Sequence, residues 1–329
     1  MKNINLPQRF SWKASGPLVF PVSDSRHSII SIKDPSIVRA EGQWHLFATT
    51  ADKAGTWNMV YLSFSNWPQA ASTKPIYLDC NPYLRGYHCA PQVFYFSPHK
   101  KWYMVFQSGQ PQYSTSDGVD KPEAWTLPAD FFHSVIDNAV SEVWLDFWVI
   151  CDRKNAYLFF TGDNGCFYRS QTKIDNFPDG MSRPVVAIQA ANSADLYEGG
   201  ATYRLKGMDQ YLTLIEAIGP EGRRYYKSFI ADTLDGQWRA MADSWENPFA
   251  GMNNVHFEDG VEPWTQDFSH GELIRDGYDE TLTIDPEHLK FLFQGRDPLS
   301  DGMTYSQLPY RLGLLQMEKS VKTGPWYNG

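Results

Sequence analysis

Three acidic residues and one histidine stand where apolar segments of this chain begin. Asp34, Asp146 and Glu198 each precede a run rich in β-branched and aromatic residues, and His270 does the same further along. With Ala90 in the corresponding place of another run, successive positions are 56, 56, 52 and 72 residues apart. A carboxylate at the mouth of an apolar strand needs water, a metal or a ligand to meet it there.

Two kinds of chemistry are open to such a set of carboxylates. In glycosidic bond hydrolysis one carboxylic acid protonates the leaving oxygen, and an ionised carboxylate takes a proton from water. A third acid nearby raises the pKa of the proton donor by like-charge repulsion. A separation of roughly 6.5–9.5 Å between acid and base leaves room for the water and gives inversion. The alternative is a site for a hard metal ion.

Pairs of short, strand-like runs surround these positions, and the arrangement repeats five times. The clearest unit, residues 144–165, has two apolar runs around a polar turn. A quasi-period near fifty residues built from short strands indicates a β-propeller with a four-stranded sheet as each blade. We therefore predict an all-β, five-bladed β-propeller. Its first strands would line a central channel and bring the three acids and the histidine together.

The repeats predict one catalytic domain over residues 1–329. All-β folds often run this long as a single domain, and the five units leave no linker-like gap between residues 30 and 316. Residues 305–315 are predicted to form a closing strand. The approximate predicted blades are 31–85, 86–140, 141–195, 196–250 and 265–316.

Composition and charge exclude several classes of protein. A net charge of −9 without a long basic run argues against nucleic acid and anionic membranes as partners. No apolar run is long enough to span a membrane. The N-terminal segment lacks the apolar core of a signal peptide, so the protein either stays inside the cell or lacks its leader in this chain. The cysteines lack metal-type spacing and permit disulfides without requiring them: Cys80, Cys89, Cys151 and Cys166.

Ordered motifs cover nearly the whole chain. They are SIKDPSIV at 31–38, DFWVICD at 146–152, LFFTGDNG at 158–165, LIEAIG at 214–219, ENPFAG at 246–251, SHGELIR at 269–275, LTIDP at 282–286, QGRDP at 294–298 and LPYRLGLL at 308–315. Through them the chain resembles glycoside hydrolase family 62, the α-L-arabinofuranosidases that remove arabinose from arabinoxylan. The related family 43 shares the fold and the three-acid plan, but not this density of motifs.

The resemblance implies an inverting, exo-acting α-L-arabinofuranosidase that releases single arabinose side chains from arabinoxylan. Asp34 of the KDP motif would be the general base, and Glu198 of YEGG the general acid. Asp146 would orient the sugar and raise the pKa of the acid. One departure is Glu198-Gly199-Gly200, where we expect Glu-Ala after the aromatic residue: the acid is kept, and two glycines follow it. The two glycines would loosen the backbone of the acid or change the shape of the pocket.

The resemblance also implies ligands beyond the three acids. His270 of SHGE matches a histidine that helps to hold a calcium ion in the central channel. Lys33 and Tyr305 match positions that contact arabinose or the xylan chain, and Arg296 is a weaker candidate of the same kind. We expect an extracellular monomer whose partner is arabinoxylan or its oligosaccharides.

Purely structural roles stay open for single residues, and other functions stay open for the whole protein. Lys33 could be a solvated surface lysine, His270 a core histidine, and Arg296 the partner of Asp297 or Asp276 in an ion pair. The protein could be a glycosidase of the family 43 type that acts on arabinan or xylosides. It could also be a non-catalytic sugar-binding propeller, although such a protein needs no trio of acids.

Overall fold

The computed structural model of the chain describes residues 6–132 and 143–318, arranged in five β-sheets. Strand β1 (Trp12–Ala14) belongs to the last sheet. The first sheet contains β2 (Ile29–Ala40), β3 (Gln43–Asp52), β4 (Trp57–Phe64) and β5 (Ile76–Tyr77). The second contains β6 (Cys89–Phe96), β7 (Lys101–Gln107), β8 (Pro111–Ser116) and β9 (Ala129–Asp130). The end of the predicted second blade, residues 133–140, lies outside the described residues.

The other three sheets follow in chain order. The third contains β10 (Leu145–Cys151), β11 (Asn155–Thr161), β12 (Cys166–Lys173) and β13 (Val185–Gln189). The fourth contains β14 (Ala201–Leu205), β15 (Tyr211–Ile218), β16 (Arg224–Ala231), β17 (Arg239–Ala240) and β20 (Thr283–Ile284). The fifth contains β1, β18 (Val255–Phe257), β19 (Ser269–Leu273), β21 (Lys290–Gly295) and β22 (Arg311–Met317).

Helical structure is confined to single turns in the described ranges. Helix α1 is Trp67–Ala70, and the 3-10 turns are Leu78–Cys80, Pro82–Leu84, Pro122–Ala124, Ile174–Asn176, Ser193–Asp195, Pro220–Gly222, Pro298–Ser300 and Tyr305–Gln307. Within these ranges no helix is long and apolar enough to cross a membrane. The innermost strands β2, β6, β10 and β14 contact one another in turn, and β19 contacts β2. The predicted five-bladed propeller is therefore confirmed.

The last sheet joins the two ends of the described chain. β1 pairs antiparallel with β22 and parallel with β18, so an N-terminal strand completes the final blade. The predicted closing strand begins later than expected, because residues 305–307 form a 3-10 turn before β22 starts at Arg311. β20 lies in the span predicted for the fifth blade, yet it pairs with β14 of the fourth.

A backbone irregularity recurs at the positions singled out from the repeat. The pairing of the first two strands shifts register around Asp34, Ala90, Asp146 and His270. The first three of these residues have φ of 49°, 50° and 58°, in the left-handed region. A β-bulge inserts an unpaired residue and re-aims its side chain. These bulges turn the residues out of the sheet at the same end of each first strand.

Buried polar side chains fill the central channel below the bulges. The guanidinium of Arg275 donates to the carbonyls of Ile37 and Val93 at 3.1 and 2.8 Å, and it pairs with Glu272. The amide of Gln92 exchanges two hydrogen bonds of 2.7 Å with the backbone of Val149. Because these groups satisfy backbone donors and acceptors that the channel would leave unpaired, they tie separate blades together. All four cysteines have free thiols.

Candidate active site

The three acids predicted from the repeat meet in one cavity of about 350 Å³. Asp34, Asp146 and Glu198 line it together with His270, and Lys33 and Tyr305 belong to the same lining. The geometry therefore brings six of the seven predicted site residues into a single pocket, which we call the catalytic pocket. Cys89, Ala90, Gln107, Leu145, Asp163, Tyr197, Trp57 and Tyr87 complete its walls.

Asp34 is held at the bulge of β2 and has only 6% of its surface exposed. Its backbone N–H donates to the side-chain oxygen of Gln294 at 2.8 Å. Oδ1 of the carboxylate lies 3.4 Å from Nδ1 of His270. Since its backbone is anchored from the fifth blade, the carboxylate has a fixed place in the pocket from which it could accept a proton from water.

Asp146 connects the third blade to the segment that carries Glu198. Oδ2 of its carboxylate accepts a hydrogen bond of 2.7 Å from the backbone N–H of Gly199, and Oδ1 lies 3.7 Å from Nδ1 of His270. Burial raises the pKa of Asp146; the charge of His270 opposes the rise and that of Asp34 adds to it. Asp146 is therefore placed to position the acid-bearing segment while it adds negative charge beside it.

Glu198 lies just before β14 and is fixed by backbone pairing with β15. The N–H of Glu216 donates to the carbonyl of Glu198 at 2.9 Å, and the N–H of Tyr197 donates to the carbonyl of Glu216 at 2.8 Å. Nη1 of Arg224 lies 2.9 Å from Oε1 of Glu216 and 3.3 Å from Oε1 of Glu198. One guanidinium thus lies between two carboxylates, and its Cζ lies 4.3 Å from the ring centroid of Tyr197.

The fully buried carboxylate of Glu216 neutralises this arginine. The hydroxyl of Ser269 donates to this carboxylate, at 3.0 and 2.9 Å from its two oxygens, and the N–H of His270 donates to it at 2.8 Å. Burial raises the pKa of Glu198 well above its usual value, and the negative charges of Glu216 and Asp146 raise it further. Glu198 is therefore suited to keep a proton and donate it.

Lys33 and Tyr305 form one wall of the pocket. The buried ammonium of Lys33 lies 3.7 Å from the ring centroid of Trp57 and donates to the hydroxyl of Tyr305 at 3.2 Å. Lys33 is thus a buried cation over an aromatic ring and not a solvated surface lysine. Tyr305 remains 40% exposed, so its ring reaches from the pocket to the surface.

Comparisons with known proteins show the family to which this chain belongs. A family model described as glycosyl hydrolase family 62 matches residues 11–316. The chain belongs to glycoside hydrolase family 62. It is 39% identical over 310 residues to alpha-L-arabinofuranosidase C of Cellvibrio japonicus, a match that covers 94% of this chain. The match covers only 47% of that relative, so the chain spans about half of its length.

Solved structures of family 62 have the same fold over almost their full length. The catalytic domain of a Coprinopsis cinerea family 62 α-L-arabinofuranosidase is 48% identical, with a TM-score of 0.90, covering 95% of this chain and 98% of that one. A family 62 hydrolase in complex with xylotriose is 44% identical, with a TM-score of 0.88, covering 94% and 98%.

The two glycines after the acid in this family 62 chain are tightly packed. Gly199 has φ of +66°, and a Cβ there would lie 2.7 Å from the hydroxyl of Tyr226. A Cβ on Gly200 would lie 2.5 Å from the ring of Phe167. Such contacts leave no room for a side chain at either position. The glycines therefore permit close packing behind Glu198, and their effect on the backbone of the acid or on the shape of the pocket stays a prediction.

Arg296 lies outside the lining of the catalytic pocket. Its guanidinium pairs with Asp267 at 2.9 Å and with Asp301 at 2.7 Å, and it also donates to the hydroxyl of Ser300. The sequence had suggested Asp297 or Asp276 as the partner of Arg296, and the structure shows two other aspartates in that place. Arg296 supports the loop that precedes Tyr305, and a direct contact with sugar stays a prediction.

The channel near His270 offers few ligands for a metal ion. His270 has two carboxylate oxygens within 4 Å of its ring, those of Asp34 and Asp146. Over residues 6–132 and 143–318, no group of three or more His, Cys, Asp or Glu side chains is arranged to hold a metal. Calcium takes six to eight oxygen ligands. The residues present could supply a minority of them, and water would have to supply the rest.

We expect Glu216→Gln to move the basic limb of the pH–rate profile to lower pH. The substitution removes a negative charge beside Glu198 and leaves Arg224 to pair with Glu198 alone, and both changes lower the pKa of the acid. If Glu198 is the general acid, activity requires it protonated, so activity would be lost at lower pH than in the wild type. At the wild-type optimum, kcat should fall on the order of tenfold. The pH dependence of kcat/KM measures the shift.

The matched control is Glu216→Asp, which keeps the charge and shortens the side chain. If Glu216 acts through its charge, this variant keeps the basic limb near its wild-type position even where its melting temperature falls. A basic limb that moved equally in both variants would contradict the electrostatic role.

Proposed function

We propose that this family 62 chain is an inverting, exo-acting α-L-arabinofuranosidase that removes single arabinose side chains from arabinoxylan. The observation that carries the proposal is a largely buried glutamate with a raised pKa, Glu198, in the same small pocket as Asp34 and Asp146. A binding propeller gains nothing from bringing three acids together in a pocket that is largely shielded from water, because each carboxylate costs desolvation energy.

The proposed reaction is a single displacement. Asp34 takes a proton from a water molecule as the water oxygen attacks the anomeric carbon of arabinose. Glu198 gives its proton to the glycosidic oxygen as the bond from that oxygen to the anomeric carbon breaks. Free arabinose and an unsubstituted xylosyl residue leave, with Asp34 protonated and Glu198 ionised. Proton exchange with solvent restores both groups.

The shape of the pocket supports removal of one sugar at a time. A volume of about 350 Å³ is at the small end of the range for small-molecule sites, roughly 300–1,000 Å³. Lys33 closes one side of the pocket, and the half-exposed ring of Tyr305 continues to the surface. The xylotriose of the solved relative supports a xylan backbone across this surface.

A panel of substrates tests the proposed specificity. Arabinose should be released from arabinoxylan and from arabinoxylo-oligosaccharides, with little release from debranched arabinan and no xylose from xylo-oligosaccharides. Chromatography of the products distinguishes these outcomes. Release mainly from arabinan or cleavage of xylosides would favour the sibling glycosidase, and binding of arabinoxylan without any arabinose release would favour the sugar-binding propeller.

We also propose that a calcium ion lies beside His270 in the upper part of the channel. The carboxylates of Asp34 and Asp146 favour a cation beside His270. The positive charge of the Arg275 guanidinium disfavours a cation in the part of the channel that Arg275 occupies. Calcium should raise the melting temperature of the metal-stripped protein by about 3 °C at saturating concentration. The variant His270→Ala should lose this response, and His288→Ala, on an exposed turn, should keep it. An identical melting temperature with calcium and with chelator would refute the site.

We also propose that the protein acts outside the cell and as a monomer. Polymeric arabinoxylan is too large to enter a cell, and family 62 membership supports action outside it. Sedimentation of the purified protein at several concentrations tests the monomeric state, and a mass that grows with concentration would contradict it.

A further inference from the structure

A second cavity, of about 800 Å³, lies beside the catalytic pocket. Trp57 and Tyr87 line both cavities, with ring centroids 6.4 Å apart, so a single aromatic wall separates the two. We call this second space the side cavity. Because only that wall stands between them, one polysaccharide is long enough to reach both the side cavity and the catalytic pocket.

One wall of the side cavity is a turn pinned by a histidine between two acids. The carboxylate of Asp24 accepts from the backbone N–H groups of Arg26 and His27 at 2.7 and 2.8 Å. The ring of His27 bridges Asp24 at 2.8 Å and Asp79 at 3.1 Å, and it stacks on Tyr77 at 3.9 Å. These contacts fix the backbone of Arg26 at the edge of the cavity.

The opposite wall carries a second arginine on an equally anchored segment. The amide of Asn58 donates to the carbonyls of Leu84 and Gly86 at 3.3 and 2.8 Å. Between them, Nε of Arg85 donates to the carbonyl of Asp79 at 3.3 Å. Arg26 and Arg85 therefore line one cavity from two segments that are held in place by hydrogen bonds.

The acidic residues of the side cavity, Asp52 and Asp79, accept hydrogen bonds from neighbouring residues in its walls. Both oxygens of Asp52 accept hydrogen bonds within its own turn, from the N–H groups of Ala54 and Thr56 and from the hydroxyl of Thr56. Asp79 accepts from His27. Neither Asp52 nor Asp79 forms an ion pair with the two guanidinium groups that line the same cavity.

The two arginines have no acidic partner in the part of the chain that the structure describes. Neither Arg26 nor Arg85 has a carboxylate oxygen within 4.0 Å, whereas His27 in the same wall has two. Guanidinium groups bind carboxylates through paired, charge-assisted hydrogen bonds. In a plant cell-wall polysaccharide, the group with this chemistry is the carboxylate of a uronic acid.

We propose that the side cavity binds a uronic acid substituent carried near the arabinose that is removed, with its carboxylate on Arg26 and Arg85. This inference rests on the proposed function, since both substituents must share one backbone. It assigns the protein to acidic, uronate-bearing arabinoxylan in preference to the neutral polymer. A neutral backbone sugar in the same space is the competing occupant, and it would not respond to the charge of the arginines.

Matched oligosaccharides test the proposal. Two arabinoxylo-oligosaccharides would carry a glucuronic acid beside the arabinosylated residue, one intact and one with its carboxyl group reduced to an alcohol. The wild type should have kcat/KM about fivefold higher on the intact acid, as expected for two exposed charge pairs. The double variant Arg26→Gln/Arg85→Gln should lose this preference and keep its rate on the reduced substrate. Arg153→Gln, on an exposed turn of the third blade, is the control and should keep the preference.

Two results would overturn the uronate site. One is an equal kcat/KM of the wild type on the acid and reduced substrates, and the other is a preference that survives the double variant. High salt should reduce the preference, because exposed charge pairs are screened. Failure of the proposed function is distinguishable, since the wild type would then release no arabinose from the reduced substrate either.

Discussion

Glu198→Gln is expected to lower kcat on arabinoxylan by about 10³-fold, because the amide cannot donate a proton to the leaving xylosyl oxygen. The loss should depend on the leaving group. An arabinoside of nitrophenol, which leaves without protonation, should be cleaved by the variant at a rate much closer to that of the wild type. Steady-state kinetics on both substrates measures the contrast.

The control for this substitution is Glu287→Gln, in an exposed turn before β21 that is not part of the catalytic pocket. It makes the same chemical change and should leave both rates unaltered. Circular dichroism checks that each variant is folded. A Glu198→Gln protein with near-normal activity on arabinoxylan would exclude Glu198 as the general acid.

Asp34→Asn should reduce turnover by a similar factor, on the order of 10³-fold, on both kinds of substrate. A base that activates water is needed whatever the leaving group, so the nitrophenyl substrate should not be spared. This lack of dependence on the leaving group separates the role of Asp34 from that of Glu198. Parallel kcat measurements on the two substrates provide the test.

Asp209→Asn, on the exposed turn after β14, is the matched control and should be fully active. The amide at position 34 preserves the size of the side chain, and the N–H of that residue keeps its hydrogen bond to Gln294. Should the Asp34→Asn variant recover wild-type rates on the nitrophenyl substrate alone, the assignments of acid and base would have to be exchanged.

The repeat in the sequence was enough to predict the fold and the meeting of the acids. It works because a first strand in every blade faces the same channel, so equal positions in the repeat are neighbours in space. The bulges at Asp34, Ala90, Asp146 and His270 show the physical reason, since four of the five blades turn one residue out at the same end of the first strand. Glu198 departs from this pattern, because it lies before the first strand of its blade and not at a bulge. A backbone hydrogen bond from the N–H of Glu216 holds it in place.

Other members of the site were missed because they come from second or third strands. Glu216 lies in β15 and Arg224 in β16, where the strand pattern predicts packing and not chemistry. One sign was present in the sequence, namely a glutamate inside the apolar run 214–218. A charge in such a run requires a buried partner, and that partner was Arg224.

The aromatic wall and the side cavity could not be predicted from spacing at all. Trp57 and Tyr87 come from different blades, and which of the twelve tryptophans faces a pocket depends on how the blades pack. The same is true of Arg275, whose place in the channel follows from carbonyls of two other blades. Tertiary packing decides these positions, and local patterns carry no record of them.

Following the anomeric proton of arabinose by NMR during hydrolysis of arabinoxylan tests the central claim most directly. With Glu198 as acid and Asp34 as base acting on water, the first sugar to appear must be the β-anomer, which then mutarotates. Early accumulation of the α-anomer would show retention of configuration. It would mean that a carboxylate attacks the sugar itself, and the acid–base account of this pocket would be wrong.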